Sequence, residues 1–219
     1  MRPTFILSLI LSILLSACGQ IKIIQKPIIF DKQRAELSLA YLKDRYGLEQ
    51  ESPNIVPKMV VVHYTVIPTW EKTFDAFNPV ELPGSRVGIK SAGNLNVSSH
   101  FVVDRDGTIY RLLPDTVFAR HVIGLNHCAI GIENVADGNE LPLTKAQLKA
   151  NKQIVKYLSQ HHEIEYLIGH HEYKSFEGHE LWLEKDEGYR TEKTDPGDEF
   201  MRKLRTSLKK LKLKGVPGE

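Results

Sequence analysis

The segment Met59-Val60-Val61-Val62-His63-Tyr64 is apolar through its first four positions and carries a histidine near its end. An unbroken apolar run of this length suits a buried strand, because a half-exposed strand alternates polar and apolar residues. A strand of that kind needs neighbours within a sheet and helices to cover it. A second short apolar run, Tyr166-Leu167-Ile168, leads to Gly169-His170. Between them, Ala129-Ile130-Gly131-Ile132-Glu133-Asn134-Val135 alternates, with Ile130 and Ile132 on one face and Gly131 and Glu133 on the other.

The other elements follow from local signals. Residues 98–103 and 108–113 flank Asp104-Arg105-Asp106-Gly107, and Asp-Gly at such a tip predicts a β-hairpin. Residues 32–46 have Leu37, Ala40, Tyr41 and Tyr46 at helical spacing. Thr144 and Gln147 form a capping-box pair that opens a helix with Leu148, Ile154, Val155 and Leu158 on its apolar face. Asp195 and Pro196 suit the cap and first turn of a closing helix that carries Phe200, Leu204, Leu208 and Leu211. The lysines at the end of that helix read mainly as a solvated face, where cations favour the helix dipole.

Residues 66–97 read as a long irregular region. It is rich in Pro and Gly and bears Trp70, Phe74 and Phe77, as either a substrate-flanking wall or plain packing. Residues 171–190 also read as polar and irregular. Strands alternate loosely with helices, so the expected class is α/β (mixed α+β): one domain with a central mixed β-sheet flanked by helices.

The N-terminus carries an address rather than structure. In residues 1–18 one positive charge precedes an apolar core too short to span a bilayer, and small residues follow. Leu15-Ser16-Ala17-Cys18 resembles the bacterial lipoprotein processing box. That resemblance implies cleavage before Cys18 and lipidation of its thiol, which holds a protein to a membrane without a spanning helix. Gly19, rather than Asp, then implies a Gram-negative outer-membrane destination, facing the periplasm. The expected organisation is a signal peptide over 1–17, then a lipidated cysteine, tether and N-terminal helix over 18–54, and the main domain over 55–212. With Cys18 lipidated, Cys128 is the one other cysteine, so no intramolecular disulfide forms and buried packing is its expected role. Lys plus Arg is 29 against 27 Asp plus Glu, so no bulk charge calls for a nucleic-acid partner.

His63, His170 and Asp195 together make a three-ligand metal set. Zinc takes imidazole nitrogen and carboxylate oxygen, and a catalytic site leaves the fourth position to water. Taken singly, each residue has a plainer reading: strand-end histidines are usually packed polar residues, Asp195 is a good helix cap, and Lys193 is a surface lysine. Glu133 resists that treatment, because a carboxylate amid an apolar strand needs a partner.

The ordered set Val62-His63-Tyr64-Thr65, Ser99-His100-Phe101, Asp104-Arg105-Asp106-Gly107, Ala129-Ile130-Gly131-Ile132-Glu133, Gly169-His170 and Lys193-Thr194-Asp195-Pro196-Gly197 resembles one family. These are the zinc-dependent N-acetylmuramoyl-L-alanine amidases of the type-2 family, related to T7 lysozyme and the peptidoglycan recognition proteins. The resemblance spans residues 55–205 and implies the T7 lysozyme-like amidase fold. It implies one zinc held by His63, His170 and Asp195, with Glu133 as acid/base residue and Lys193 as stabiliser of the developing oxyanion. It also implies a peptidoglycan or muropeptide substrate, cut between N-acetylmuramic acid and L-alanine. A small residue at Gly131 lets other groups approach near Glu133.

Three features depart from the family pattern. The segment between His170 and Asp195 is longer than in compact members and contains His171 and His179 as competing ligands. His171 should face away from His170 if the strand continues. Ala119-Arg120-His121-Val122 stands where many members have Trp-His-Ala-Gly; His121, like His100, is a candidate substrate contact, with a part in catalysis as the other reading of His121. No room remains for the separate wall-binding domain of some relatives, and a lipid anchor would supply proximity instead. The alternative reading is a non-catalytic peptidoglycan-binding lipoprotein on the same fold.

Overall fold

The computed structural model describes residues 21–84 and 90–218. The export signal, Cys18 and Gly88 lie outside them. Among the described residues, six strands form one sheet: β1 (Ile23–Gln25), β2 (Met59–Tyr64), β3 (Phe101–Val103), β4 (Ile109–Arg111), β5 (Ala129–Asn134) and β6 (Tyr166–Gly169). Their order is β1-β4-β3-β5-β2-β6. β3 and β4 pair antiparallel as the hairpin, and every other neighbouring pair is parallel. The helices are α1 (Lys32–Tyr41), α2 (Trp70–Phe77), α3 (Lys145–His161) and α4 (Asp198–Leu208). The expected mixed sheet flanked by helices is what the chain forms.

The central strand β2 is buried on both faces, with Met59 through Val62 fully covered and His63 1 % exposed. Side chains alternate across the sheet, so each face has its own core. Val60, Val62, Ile130 and Ile132 pack with Ile154, Val155 and Leu158 of α3 and Met201 and Leu204 of α4. Full burial of one such side chain contributes about 1.5–3 kcal/mol. On the other face, Val61, Ala129 and Ile168 meet Tyr41, Leu42 and Tyr46 of the N-terminal helical segment, together with Phe118 and Phe176. The N-terminal helical segment is thus built into the core.

Capping fixes where α3 begins. Thr144 Oγ1 accepts from Gln147 N–H at 3.0 Å, and Gln147 Oε1 accepts from Thr144 N–H at 2.9 Å. The remaining Gln147 amide hydrogens go to the carbonyls of Val103 and Val135, tying the start of α3 to the sheet.

Three local expectations need correction. Part of the supposed tether is β1, an edge strand pairing with β4, and Ile28 just beyond it is buried. The 66–97 region contains α2, capped by Thr69, whose side chain accepts from Lys72 N–H. Trp70, Phe74 and Phe77 lie on one side of that helix, and Trp70 stacks on Tyr110 with ring centroids 3.7 Å apart. Lastly, the closing helix begins at Asp198 with Gly197 as its cap residue. Asp195 does not cap it, because its carboxylate is engaged by histidines.

The 171–190 region is also more structured than its composition suggests. A 3-10 helix spans His170–Phe176, and Tyr173, Phe176 and Tyr189 are buried. Trp182 lies flat against Gly124, where a Cβ would approach the indole to 2.6 Å and φ is +79°. Only glycine serves both conditions there.

Candidate active site

The site forms at the carboxyl ends of the parallel strands, where open sheets of this kind commonly bind ligands. β2 and β5 pair in parallel with His63 directly opposite Glu133, and Val61 opposite Gly131. Neighbours in register project to the same face, so strand pairing alone sets the imidazole beside the carboxylate. β6 pairs with β2 so that Gly169 lies opposite Val62, which brings His170 next to His63.

The three expected ligands converge. His63 Nδ1 is 2.9 Å from His170 Nδ1 and 3.4 Å from Asp195 Oδ2, and His170 Nδ1 is 3.1 Å from Asp195 Oδ2. All three side chains are buried. Tetrahedral bonds of about 2.0–2.1 Å place ligand atoms roughly 3.3 Å apart, so two nitrogens and one carboxylate oxygen at these separations fit a zinc-sized ion. Burial, then the neighbouring His63, lowers the His170 pKa to about 4. Burial alone would raise Asp195, but the two imidazoles of His170 and His63 beside it hold it well below the usual carboxylate range. A neutral imidazole beside an ionised carboxylate is the protonation state that metal binding requires.

Several contacts that the sequence did not reveal hold these three side chains in place. His171 turns away from the cluster, but not by strand alternation, because β6 ends at Gly169 and a 3-10 helix begins at His170. Its backbone N–H and Nδ1 both approach the Asp195 carbonyl, at 2.9 and 3.0 Å, and its Nε2 faces Asp198 Oδ1 at 2.9 Å. It thus supports the turn that bears Asp195 and lies outside the three-residue cluster. His179 lies against Tyr166 and Phe176, and its Nε2 is 3.3 Å from the Tyr166 hydroxyl. Asn134 donates to the His63 carbonyl at 2.9 Å and accepts from Asn151 at 2.6 Å. A signal for that pair existed: Asn151 falls on the apolar face of α3, where an amide requires a buried partner. Tyr64 Oη and Thr194 Oγ1, 2.9 Å apart, link the end of β2 to the turn before Asp195.

His63, His170 and Asp195 border a cavity of about 220 Å³ that Glu133, Lys193 and His121 also line. Phe77 reaches this cavity, whereas Trp70 and Phe74 pack beside a smaller apolar cluster under the hairpin. Lys193 is close enough to His170 for its charge to bear on that ring. His121 places Nδ1 3.0 Å from His63 Nε2.

His100 sits elsewhere, and the expectation that it contacts substrate needs correction. It is fully buried, its Nδ1 accepts from Gly131 N–H at 3.0 Å, and its Nε2 donates to the Val117 carbonyl at 2.8 Å. Both ring nitrogens are spent on backbone, and burial lowers its pKa to about 4, so it braces the wall behind the cavity. Cys128 is buried as expected, and burial pushes its thiol up to about 12.

The family model for N-acetylmuramoyl-L-alanine amidase (Amidase_2) matches residues 51–198, and the chain belongs to this family of amide hydrolases. Solved structures share the fold. The N-acetylmuramoyl-L-alanine amidase LysC from Clostridium intestinale is 22 % identical with a TM-score of 0.51, over 88 % of this chain and 99 % of that one. The bumblebee recognition protein PGRP-SA is 16 % identical with a TM-score of 0.51, over 90 % of this chain and 99 % of that one. AmiD from Escherichia coli, solved with the substrate anhydro-N-acetylmuramic acid-L-Ala-D-gamma-Glu-L-Lys, is 21 % identical with a TM-score of 0.50. That alignment covers 69 % of this chain and 57 % of AmiD. No match was found among curated protein sequences. Among the described residues no helix is long and apolar enough to cross a membrane.

Proposed function

We propose that this chain is a zinc-dependent hydrolase that cleaves the amide joining the lactyl group of N-acetylmuramic acid to L-alanine in peptidoglycan or its fragments. The observation that carries this reading is the meeting of His63, His170 and Asp195 at the edge of a cavity that Glu133 and Lys193 also line. His63, His170 and Asp195 would hold the zinc, which would supply a Lewis acid for the scissile carbonyl and a more acidic water near neutral pH.

The chain's own groups do the rest. Glu133, beside His63 on the next strand, takes a proton from the attacking water as the water oxygen bonds to the carbonyl carbon. Lys193 sets a positive charge against the negative charge that develops on the carbonyl oxygen. When the carbon–nitrogen bond breaks, Glu133 returns the proton to the departing L-alanine nitrogen. The products are a free lactyl carboxylate and a stem peptide with a free amine.

The same proposal extends to location. Leu15-Ser16-Ala17-Cys18 followed by Gly19 supports processing at Cys18 and lipid anchoring at the outer membrane, facing the periplasm. Palmitate labelling of the expressed chain that disappears in Cys18→Ala would support it, and labelling that persists would overturn it.

The test of activity is digestion of purified muropeptides, with products read by mass spectrometry and zinc content measured on the same sample. Release of intact stem peptides, abolished by a chelator and restored by zinc, is the expected result. Protein that retains zinc and binds muropeptides without cutting them would replace the enzyme with a recognition protein on the same fold.

A further inference from the structure

His63 can offer Nδ1 to a cation only as a lone pair, so in a neutral ring the hydrogen must sit on Nε2. The structure contains a device that sets this. His121 Nε2 lies 3.2 Å from the Ala129 carbonyl oxygen. A carbonyl oxygen only accepts, so this nitrogen carries the hydrogen and donates it. In a neutral His121 the other nitrogen, Nδ1, then has only a lone pair. That lone pair stands 3.0 Å from His63 Nε2, which must therefore be the donor between the two rings. The neutral His63 ring is left with its Nδ1 lone pair aimed at the point it shares with His170 and Asp195.

The placement of His121 is itself built in. Its backbone N–H and that of Val122 both donate to Asn126 Oδ1 at 2.8 Å. Its ring meets His63 edge-on, with centroids 5.1 Å apart and planes at 86°. It lies directly over Gly131, where an added Cβ would come within 2.9–3.0 Å of the ring atoms. The glycine opposite Val61 is thus the gap that lets His121 reach its neighbour.

We infer that His121 is a positioning residue that fixes the tautomer and orientation of His63, through a chain running from the Ala129 carbonyl across two imidazoles. The inference deepens the zinc reading above and rests on it for its consequence. Partners of this kind behind a metal-ligating histidine typically change metal affinity about 10–100-fold when removed.

The experiment uses the purified full chain, metal-free, at a pH well above the ordinary histidine range. Long-range nitrogen–proton NMR correlations of the histidine rings read the tautomers directly. His63 should carry its hydrogen on Nε2. His121→Phe keeps a flat ring over Gly131 but offers no acceptor, so the His63 tautomers should mix. Its zinc affinity, measured by competition with a metal-binding dye, should fall about 10–100-fold. His121→Gln can accept from His63 through its oxygen and donate to Ala129 through its nitrogen, and should recover most of that loss. Gly131→Ala, which displaces the ring, should reproduce the loss with His121 still present. An Nδ1–H tautomer in the unmodified protein, or undiminished zinc affinity in His121→Phe, would overturn the inference. If the unmodified chain bound no zinc at all, the zinc reading would fall while the tautomer measurement still decided the link between the rings.

Discussion

The same two strands have opposite characters on their two faces. Toward α3 and α4, β2 and β5 present Val60, Val62, Ile130 and Ile132, all fully buried among hydrocarbon. On the opposite face they present Val61, His63, Gly131 and Glu133, in matching register, and of these His63 and Glu133 line the cavity. A shift of one residue in either strand would exchange the two sets, so the apolar face holds the register that the polar face depends on. The first face is hydrocarbon throughout, whereas the second joins its own core around Met59, Val61 and Ala129 to a buried imidazole, His63, and a half-buried carboxylate, Glu133, at the strand ends.

This comparison can be broken most severely at an expected ligand that comes from neither strand. Asp195→Ala should empty the site of zinc, by metal analysis, and abolish hydrolysis, a loss at least as large as any below. Retained zinc in that variant would mean that the cavity face does not form the site. Next, Glu133→Gln should leave zinc content unchanged and lower turnover about 10²–10⁴-fold, in line with removal of a general base. Full activity there would remove Glu133 from the mechanism.

On the opposite face, Ile154→Ala should cost about 2–5 kcal/mol in denaturant unfolding, as large-to-small core changes do. Zinc affinity and turnover of the folded fraction should stay as they were. If both fell together with stability, the two faces would not be separable. The smallest effect is expected at the start of α3, where Thr144→Ala should cost about 1 kcal/mol by loss of the cap, with no change at the site.

Local chemistry was legible in the sequence wherever a short-range rule governs. The uninterrupted run before His63 gave a strand covered on both sides, Asp-Gly gave the hairpin turn, and Thr144 with Gln147 gave the cap of α3. The alternation of Ile130 and Ile132 with Gly131 and Glu133 placed the carboxylate on the glycine's face before any fold was known. α2 has a signal too: Trp70, Phe74 and Phe77 have helical spacing, obscured by the prolines and glycines around them.

What only the tertiary structure decided is which of these pieces meet. His63 and His170 are 107 positions apart, and they touch because β6 adds to the edge of β2 rather than elsewhere in the sheet. Asp195 joins the two histidines instead of capping α4, with His171 on its carbonyl and His170 beside its carboxylate. His100 and His121 looked equivalent in the chain, yet one is sealed behind the wall and the other leans on His63. Periodicity and capping report a residue's neighbours within a turn or a strand, whereas strand order and the packing of loops over a sheet depend on contacts distant in sequence, which no local pattern encodes.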